Sequence, residues 1–190
     1  MIIGLAGYAQ SGKDTVAEHL VTKYGFNRVA FADPIRDMLY AMDPIVWGNT
    51  YEGGQSISEF VDEVGWDTAK QHPEVRRLLQ SLGYAGRQIF GDQVWLVAAL
   101  GKLSVYENHV ITDVRFINEA ETLKGAMSAK LWRVERPGIQ AVNDHVSEWE
   151  LNGYDKYDEY LNNDGTIEQL NFLVDTLVRQ DGYSVEHKNV

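Results

Sequence analysis

The chain has 190 residues, 44% of them hydrophobic and 24% charged, the make-up of one globular domain or of a core with an insertion. A formal net charge of -11 argues against a general nucleic-acid or membrane-surface binder, which needs a basic face. The absence of cysteine excludes disulfides and thiolate metal sites. No signal-peptide pattern opens the chain and no apolar run approaches ~18 residues, so a cytoplasmic location is expected.

Met1 to Ala6 reads as a short buried strand, followed by a helix from Lys13 to about Tyr24 with Val16, Ala17, Leu20 and Val21 on one face. Gly25 ends it. Residues 27–31 read as a second strand, and Asp33-Pro34 opens a helix that buries Ile35, Met38 and Leu39. A loop is expected over 43–56, a helical stretch near 57–64 and a turn in "GWDTAKQHP". Further helices are expected from Glu74 to Leu82 and from Asp92 to about Leu103. Then come a strand at 109–114, a helix at 116–125 stopped by Gly125, and a strand at 129–136 broken by Pro137-Gly138. A polar stretch fills 137–156, with Ser147 and Glu150 as a capping box. A weak strand at 157–162 precedes a final amphipathic helix, capped by Thr166 with Gln169. Residues 181–190 are expected to fray. Strands alternating with helices imply an α/β fold with a mostly parallel sheet.

The most informative stretch is "GLAGYAQSGKDT", from Gly4 to Thr15. Gly7, Gly12 and Lys13 have the G-x-x-x-x-G-K spacing of a phosphate-cradling loop, set between a strand and a helix as such a loop requires. The glycines let the backbone wrap phosphates, the amides at the helix N-terminus point at them, and Lys13 reaches them as a point charge. Where these loops carry a magnesium-holding serine or threonine, this chain has Asp14. Either Asp14 or Thr15 would meet Mg²⁺, or Asp14 would serve the helix dipole alone.

Phosphoryl transfer needs much cationic positioning. This acidic chain places Arg36 after the second strand, Arg76, Arg77 and Arg87 on or after the helix at 74–82, Arg115 after the strand at 109–114, and Arg133 and Arg136 around the strand at 129–136. Arg76 and Gln80 share a helix face at i, i+4. Asp113 ends an apolar strand, where a P-loop protein places a carboxylate that orients magnesium through water. Asp33 is a candidate for the acceptor side or an N-cap.

These motifs together resemble the deoxynucleoside monophosphate kinases of tailed phages. The likeness runs nearly the whole length: the loop from Gly7 to Thr15, "FADPIRDML", "GWDTAK", "VRRLLQSLG" with Arg87 beyond, "ITDVRFINEAE", H-x-S-E at His145 to Glu148, and "NNDGT" at 162–166. Asp14 after the lysine is that family's own form. Tyr84-Ala85 departs from the Thr-Glu expected there.

The resemblance implies an α/β P-loop NTPase three-layer sandwich with a mostly parallel five-stranded sheet, a helical acceptor-binding insertion at about 43–90 and a lid at about 137–156. It implies one nucleoside monophosphate kinase-like domain over 1–190, acting in a host cytoplasm if phage-encoded, as monomer or homodimer. ATP would lie along Gly7, Tyr8, Ala9, Gln10, Ser11, Gly12, Lys13, Asp14 and Thr15, with Asn163 and Gly165 beside the adenine and Mg²⁺ at Asp14 or Thr15. Lys13, Arg115, Arg136 and Asp113 would serve catalysis. Asp33, Arg36, Trp66, Lys70, Arg76, Gln80 and Arg87 would hold a deoxynucleoside monophosphate. The alternatives are another P-loop small-molecule kinase, such as a dephospho-coenzyme A kinase, and a non-catalytic nucleotide-binding switch.

Overall fold

The computed structural model describes residues 1–47, 53–140 and 150–182. They fall into two compact units, Met1–Ala30 with Leu103–Val190, and Phe31–Lys102.

The first unit is built on a five-stranded sheet. In chain order its elements are β1 (Ile2–Ala6), α1 (Lys13–Tyr24), β2 (Asn27–Val29), β5 (His109–Val114), α6 (Ile117–Gly125), β6 (Lys130–Glu135), β7 (Glu159–Asn162) and α7 (Ile167–Gln180). Strand order is β2-β5-β1-β6-β7, and every pairing is parallel. A parallel sheet must be covered on both faces, which is why β1 reads as an unbroken apolar run. On one face Val16 and Leu20 of α1 and Leu170, Val174 and Val178 of α7 pack against Leu5, Val110 and Leu161. On the other, Gly4 lacks the side chain that would collide with Leu123 of α6, since a Cβ there would lie 2.8 Å from Leu123 Cδ1. Three layers result, as the resemblance implied. Truncating the fully buried Leu123 to alanine would cost about 2–5 kcal/mol.

Gly25 ends α1 at φ 68°, its N–H donating to the Leu20 and Val21 carbonyls. Thr166 and Gln169 form the expected capping box of α7. Strand β2 stops at Val29 rather than Phe31. The weak strand at 157–162 begins at Glu159; just before it, the Asp158 carboxylate accepts from the Leu131 N–H at 2.7 Å and from Lys124.

The second unit contains α2 (Asp33–Met42), the short antiparallel pair β3 (Ile45–Val46) and β4 (Gln55–Ser56), α3 (Ile57–Ala69), α4 (Pro73–Phe90) and α5 (Val94–Leu100). Its core gathers Leu39, Val46, Ile57, Val61, Ala69 and Val75. Several expectations are corrected here. The two-stranded pair occupies part of the expected loop at 43–56. Helix α3 kinks at Gly65 (φ 74°) and resumes over most of the "GWDTAK" segment, which therefore is not a turn. Helix α4 does not end at Leu82 but continues to Phe90, through Gly83 and Gly86. These glycines serve packing. A Cβ at Gly86 would strike the Trp95 ring, and the Trp95 indole N–H donates to the Gly83 carbonyl at 2.8 Å. Met38 is 41% exposed rather than buried. Helix α5 is shorter than expected, spanning Val94–Leu100. The capping box read at Ser147 and Glu150, and His145 with it, falls on or depends on residues outside the described ones.

Candidate active site

The loop between β1 and α1 is shaped by its glycines. Gly7 (φ 139°) passes so close to β6 that a Cβ would strike the Val134 carbonyl oxygen. Gly12 (φ 110°) is the N-cap of α1, and no side-chain bond caps the helix there. Gln10 also takes a positive φ, 64°, a turn cost borne without glycine. The Lys13 ammonium donates to the Gly7 and Tyr8 carbonyls at 2.8 and 2.7 Å. Its charge is thereby held over the loop. Asp14 is exposed and Thr15 half-buried in the first turn of α1, while Ser11 is buried, its Oγ without a hydrogen-bond partner among the described residues.

Sheet register brings more groups to the same edge. Ala6, the last residue of β1, lies opposite Val114 on one side and Arg133 on the other. Asp113 therefore reaches the end of β5 beside the loop's origin. Arg115 follows it, its backbone N–H donating to Glu119 Oε2 at 2.8 Å; the Phe116 N–H donates to the same oxygen. Buried Glu119 thus clamps the strand-to-helix turn that carries Arg115. Arg136 is exposed, just past β6.

Two contacts at this edge escaped the sequence reading. Arg133, expected to flank its strand, sits within β6 and points at the loop. Its guanidinium lies 5.9 Å from the Tyr8 ring centroid and 5.4 Å from that of Tyr157, and it donates to the Leu151 carbonyl and the Tyr157 hydroxyl at 3.2 Å each. Burial alone would lower its pKa, but hydrogen bonds to Tyr157 and Glu135 raise it, so the charge is permanent. The second contact joins Asn163 to the loop: its side-chain amide donates to the Ser11 carbonyl at 2.8 Å. Beyond it, Asn163, Asp164, Gly165, Gln169, Phe172 and Leu173 line a cavity of about 430 Å³.

The acceptor candidates all fall in the second unit. Asp33 is the first residue of α2, not its N-cap, and pairs with Arg36 at 3.0 Å. Trp66 packs partly buried against the unit's core, and Lys70 pairs with exposed Asp67 at 2.7 Å. Because α4 is continuous, Arg76, Gln80 and Arg87 fall at i, i+4 and i+11, on one stripe. Gly83 lies on the same stripe, where a Cβ would come 3.3 Å from Ile35 Cδ1 of α2. Arg77 faces away and pairs with Glu74 at 2.6 Å.

The profile of the deoxynucleotide monophosphate kinases matches residues 51–174. The chain belongs to that family. The match begins beyond the phosphate loop, so loop and membership are separate observations that agree. A relative from Acanthamoeba polyphaga mimivirus, provisionally named a deoxynucleotide monophosphate kinase, is 29% identical over 190 positions, covering 89% of this chain and 91% of its own length. The deoxynucleotide monophosphate kinase of Escherichia phage RB69 is 31% identical over 111 residues, 55% of this chain but only 45% of its own length. Shikimate kinase from Aquifex aeolicus vf5 has the same fold, with a TM-score of 0.50 at 11% identity, covering 96% of this chain and 98% of that one. Membership makes this chain a kinase of the α/β P-loop type. No helix among the described residues is long and apolar enough to cross a membrane.

Proposed function

We propose that the chain transfers the γ-phosphoryl group of ATP to a deoxynucleoside 5'-monophosphate, giving ADP and the deoxynucleoside diphosphate, in the cytoplasm. The reading is carried by the phosphate loop, with Lys13 held over it, in a chain whose residues 51–174 match this kinase family.

In this reading the loop amides from Ser11 to Thr15 and the start of α1 bind the ATP phosphates, and Lys13 exchanges its carbonyl partners for their oxygens. The transition state spreads negative charge over the moving phosphoryl, so cations that meet it there lower the barrier. Lys13, Arg115 and Arg136 fill that role, and Asp113 orients the donor end. The stripe of Arg76, Gln80 and Arg87, with Arg36, Trp66 and Lys70 of the same unit, holds the acceptor, and Asp33 orients Arg36. The stretch at about 43–90 acts as acceptor-binding insertion and that at about 137–156 as lid. The cavity beside Asn163 and Gly165 receives the adenine.

The residues present fit Mg²⁺. No cluster of three or more metal-ligating side chains occurs among the described residues, so a cage made of protein alone is not what they offer. Asp14 and Thr15 instead supply one or two hard oxygens, which suits an ion that keeps most of its shell for phosphates and water. Mg²⁺ at Asp14 or Thr15 would neutralise phosphate charge.

A coupled assay of ADP release tests the function. Release should require a deoxynucleoside monophosphate. Release with dephospho-coenzyme A instead, or ATP binding with no acceptor-dependent release, would replace the reading by one of its alternatives.

A further inference from the structure

Asn163 occupies the turn after β7, in the loop expected beside the adenine. Its side chain, however, is engaged elsewhere. The amide nitrogen donates to the Ser11 carbonyl at 2.8 Å, across 152 residues of sequence. The same nitrogen lies where a Cβ on Gly12 would come within 2.5 Å of it. It therefore touches the two residues whose peptide turns into α1 and leads to Lys13.

Asn163 is itself held firmly. Its backbone N–H donates to the Glu135 carbonyl at 2.7 Å, continuing the β6–β7 ladder by one bond. Three residues later the Thr166–Gln169 capping box starts α7. Asn162 and Asp164, on either side, are joined at 3.0 Å. A rigid support thus presents one donor to one loop carbonyl. A carbonyl satisfied from behind keeps the Ser11–Gly12 peptide in one orientation, and with it the Gly12 and Lys13 amides that face phosphate.

We propose that Asn163 is a positioning residue for the phosphate loop and does not read the base. This deepens the donor-site reading above and rests on it. A base bound in the neighbouring cavity would be selected by that cavity's other walls, Asp164, Gln169, Phe172 and Leu173. The geometry separates two functions within one short turn.

The test compares ligands that share phosphates but not a base. Asn163→Asp keeps the size of the side chain and turns the donor into an acceptor facing the Ser11 carbonyl. Binding of ATP, GTP and inorganic tripolyphosphate is measured by calorimetry for the wild type, Asn163→Asp and Asn163→Ala, each with its melting temperature. All three ligands should weaken by a common factor of about 10 in both variants. In the labelled wild-type protein, the Asn163 side-chain amide resonances should shift with tripolyphosphate and stay in place with adenosine, a readout that needs no variant to fold. Loss confined to ATP, with GTP and tripolyphosphate unchanged, would overturn the proposal, as would a resonance that responds to adenosine alone. No change in any ligand would overturn it too. Failure of the wild type to bind ATP or tripolyphosphate is a different result, and it would remove the donor-site reading itself.

Discussion

Arg133 packs its guanidinium over the ring of Tyr8, 5.9 Å from the centroid, tying the central sheet to the first variable residue of the phosphate loop. Tyr8 in turn donates its hydroxyl proton to Asn152 at 2.7 Å, and Arg133 donates to the carbonyl of neighbouring Leu151. One cation thus fixes the loop and the segment at 151–157 together. A lysine there would keep the charge but lose the planar stack and the fork of donors. Arg133→Lys should lower stability by about 1–2 kcal/mol in urea unfolding and raise the KM for ATP more than that for the acceptor. Unchanged values for both would show that the stack holds nothing.

The metal-facing prediction concerns Asp14. It follows Lys13 directly, is exposed, and α1 has no side-chain cap to claim it. Asp14→Asn should raise the magnesium concentration for half-maximal activity by about tenfold, because hard divalent cations favour charged oxygens. Asp14→Ser should retain much of the activity. Thr15→Val should leave the magnesium requirement nearly unchanged; a large shift in Thr15→Val with a silent Asp14→Asn would move the ion to the hydroxyl.

At the acceptor end, Arg76→Ala should raise the KM for the monophosphate about tenfold or more and leave ATP binding unchanged, since Arg76 stands on the α4 stripe of the other unit. Arg77→Ala, which removes only the exposed pair with Glu74, should change neither. Equal losses for both substrates in Arg76→Ala would take α4 out of the acceptor site.

What was legible in the sequence was local. The loop from Gly7 to Thr15, the strand and helix flanking it and the Thr166–Gln169 cap are each written within a few residues of one another. The true end of α4 was not: the helix runs on past Leu82 through Gly83 and Gly86, where Ile35 and Trp95 occupy the space the missing side chains leave. Tertiary packing overrides propensity there. The contacts of Arg133 with Tyr8 and of Asn163 with Ser11 were not legible for a related reason: the partners lie far away in sequence, and hydrogen-bond geometry has no signature at such a distance. Glu119 carried a faint local signal, an acid three residues into a helix, which marks an N-terminal clamp.

Acid should expose a different part of the first unit. On the α1–α7 seam, Asp175 accepts from Lys23 at 2.6 Å, His19 at 2.7 Å and the Tyr24 hydroxyl at 2.8 Å. Burial by itself would raise this carboxyl, but those three bonds lower it from 3.8 to about 2. A depressed folded pKa gives stability that is complete above the unfolded value and is lost as pH falls through the folded one. The window is therefore pH ~4 down to ~2, and the contribution about 1 kcal/mol after solvent screening. Urea unfolding of wild type and Asp175→Asn at pH 7 and pH 2.5 checks this: the gap between the two should narrow at the lower pH, and a constant gap would deny the network that role.

The central claim is that a loop-bound triphosphate gives its terminal phosphoryl to a deoxynucleoside monophosphate. Following γ-labelled ATP to its product measures this directly, with wild type and Lys13→Ala side by side and each of the four deoxynucleoside monophosphates as acceptor. The label should move into a deoxynucleoside diphosphate in the wild type. In folded Lys13→Ala, kcat should fall by at least about 100-fold, because the ammonium acts mainly on charge that develops during transfer. Label found only in inorganic phosphate, or a folded Lys13→Ala protein with undiminished transfer, would contradict the account.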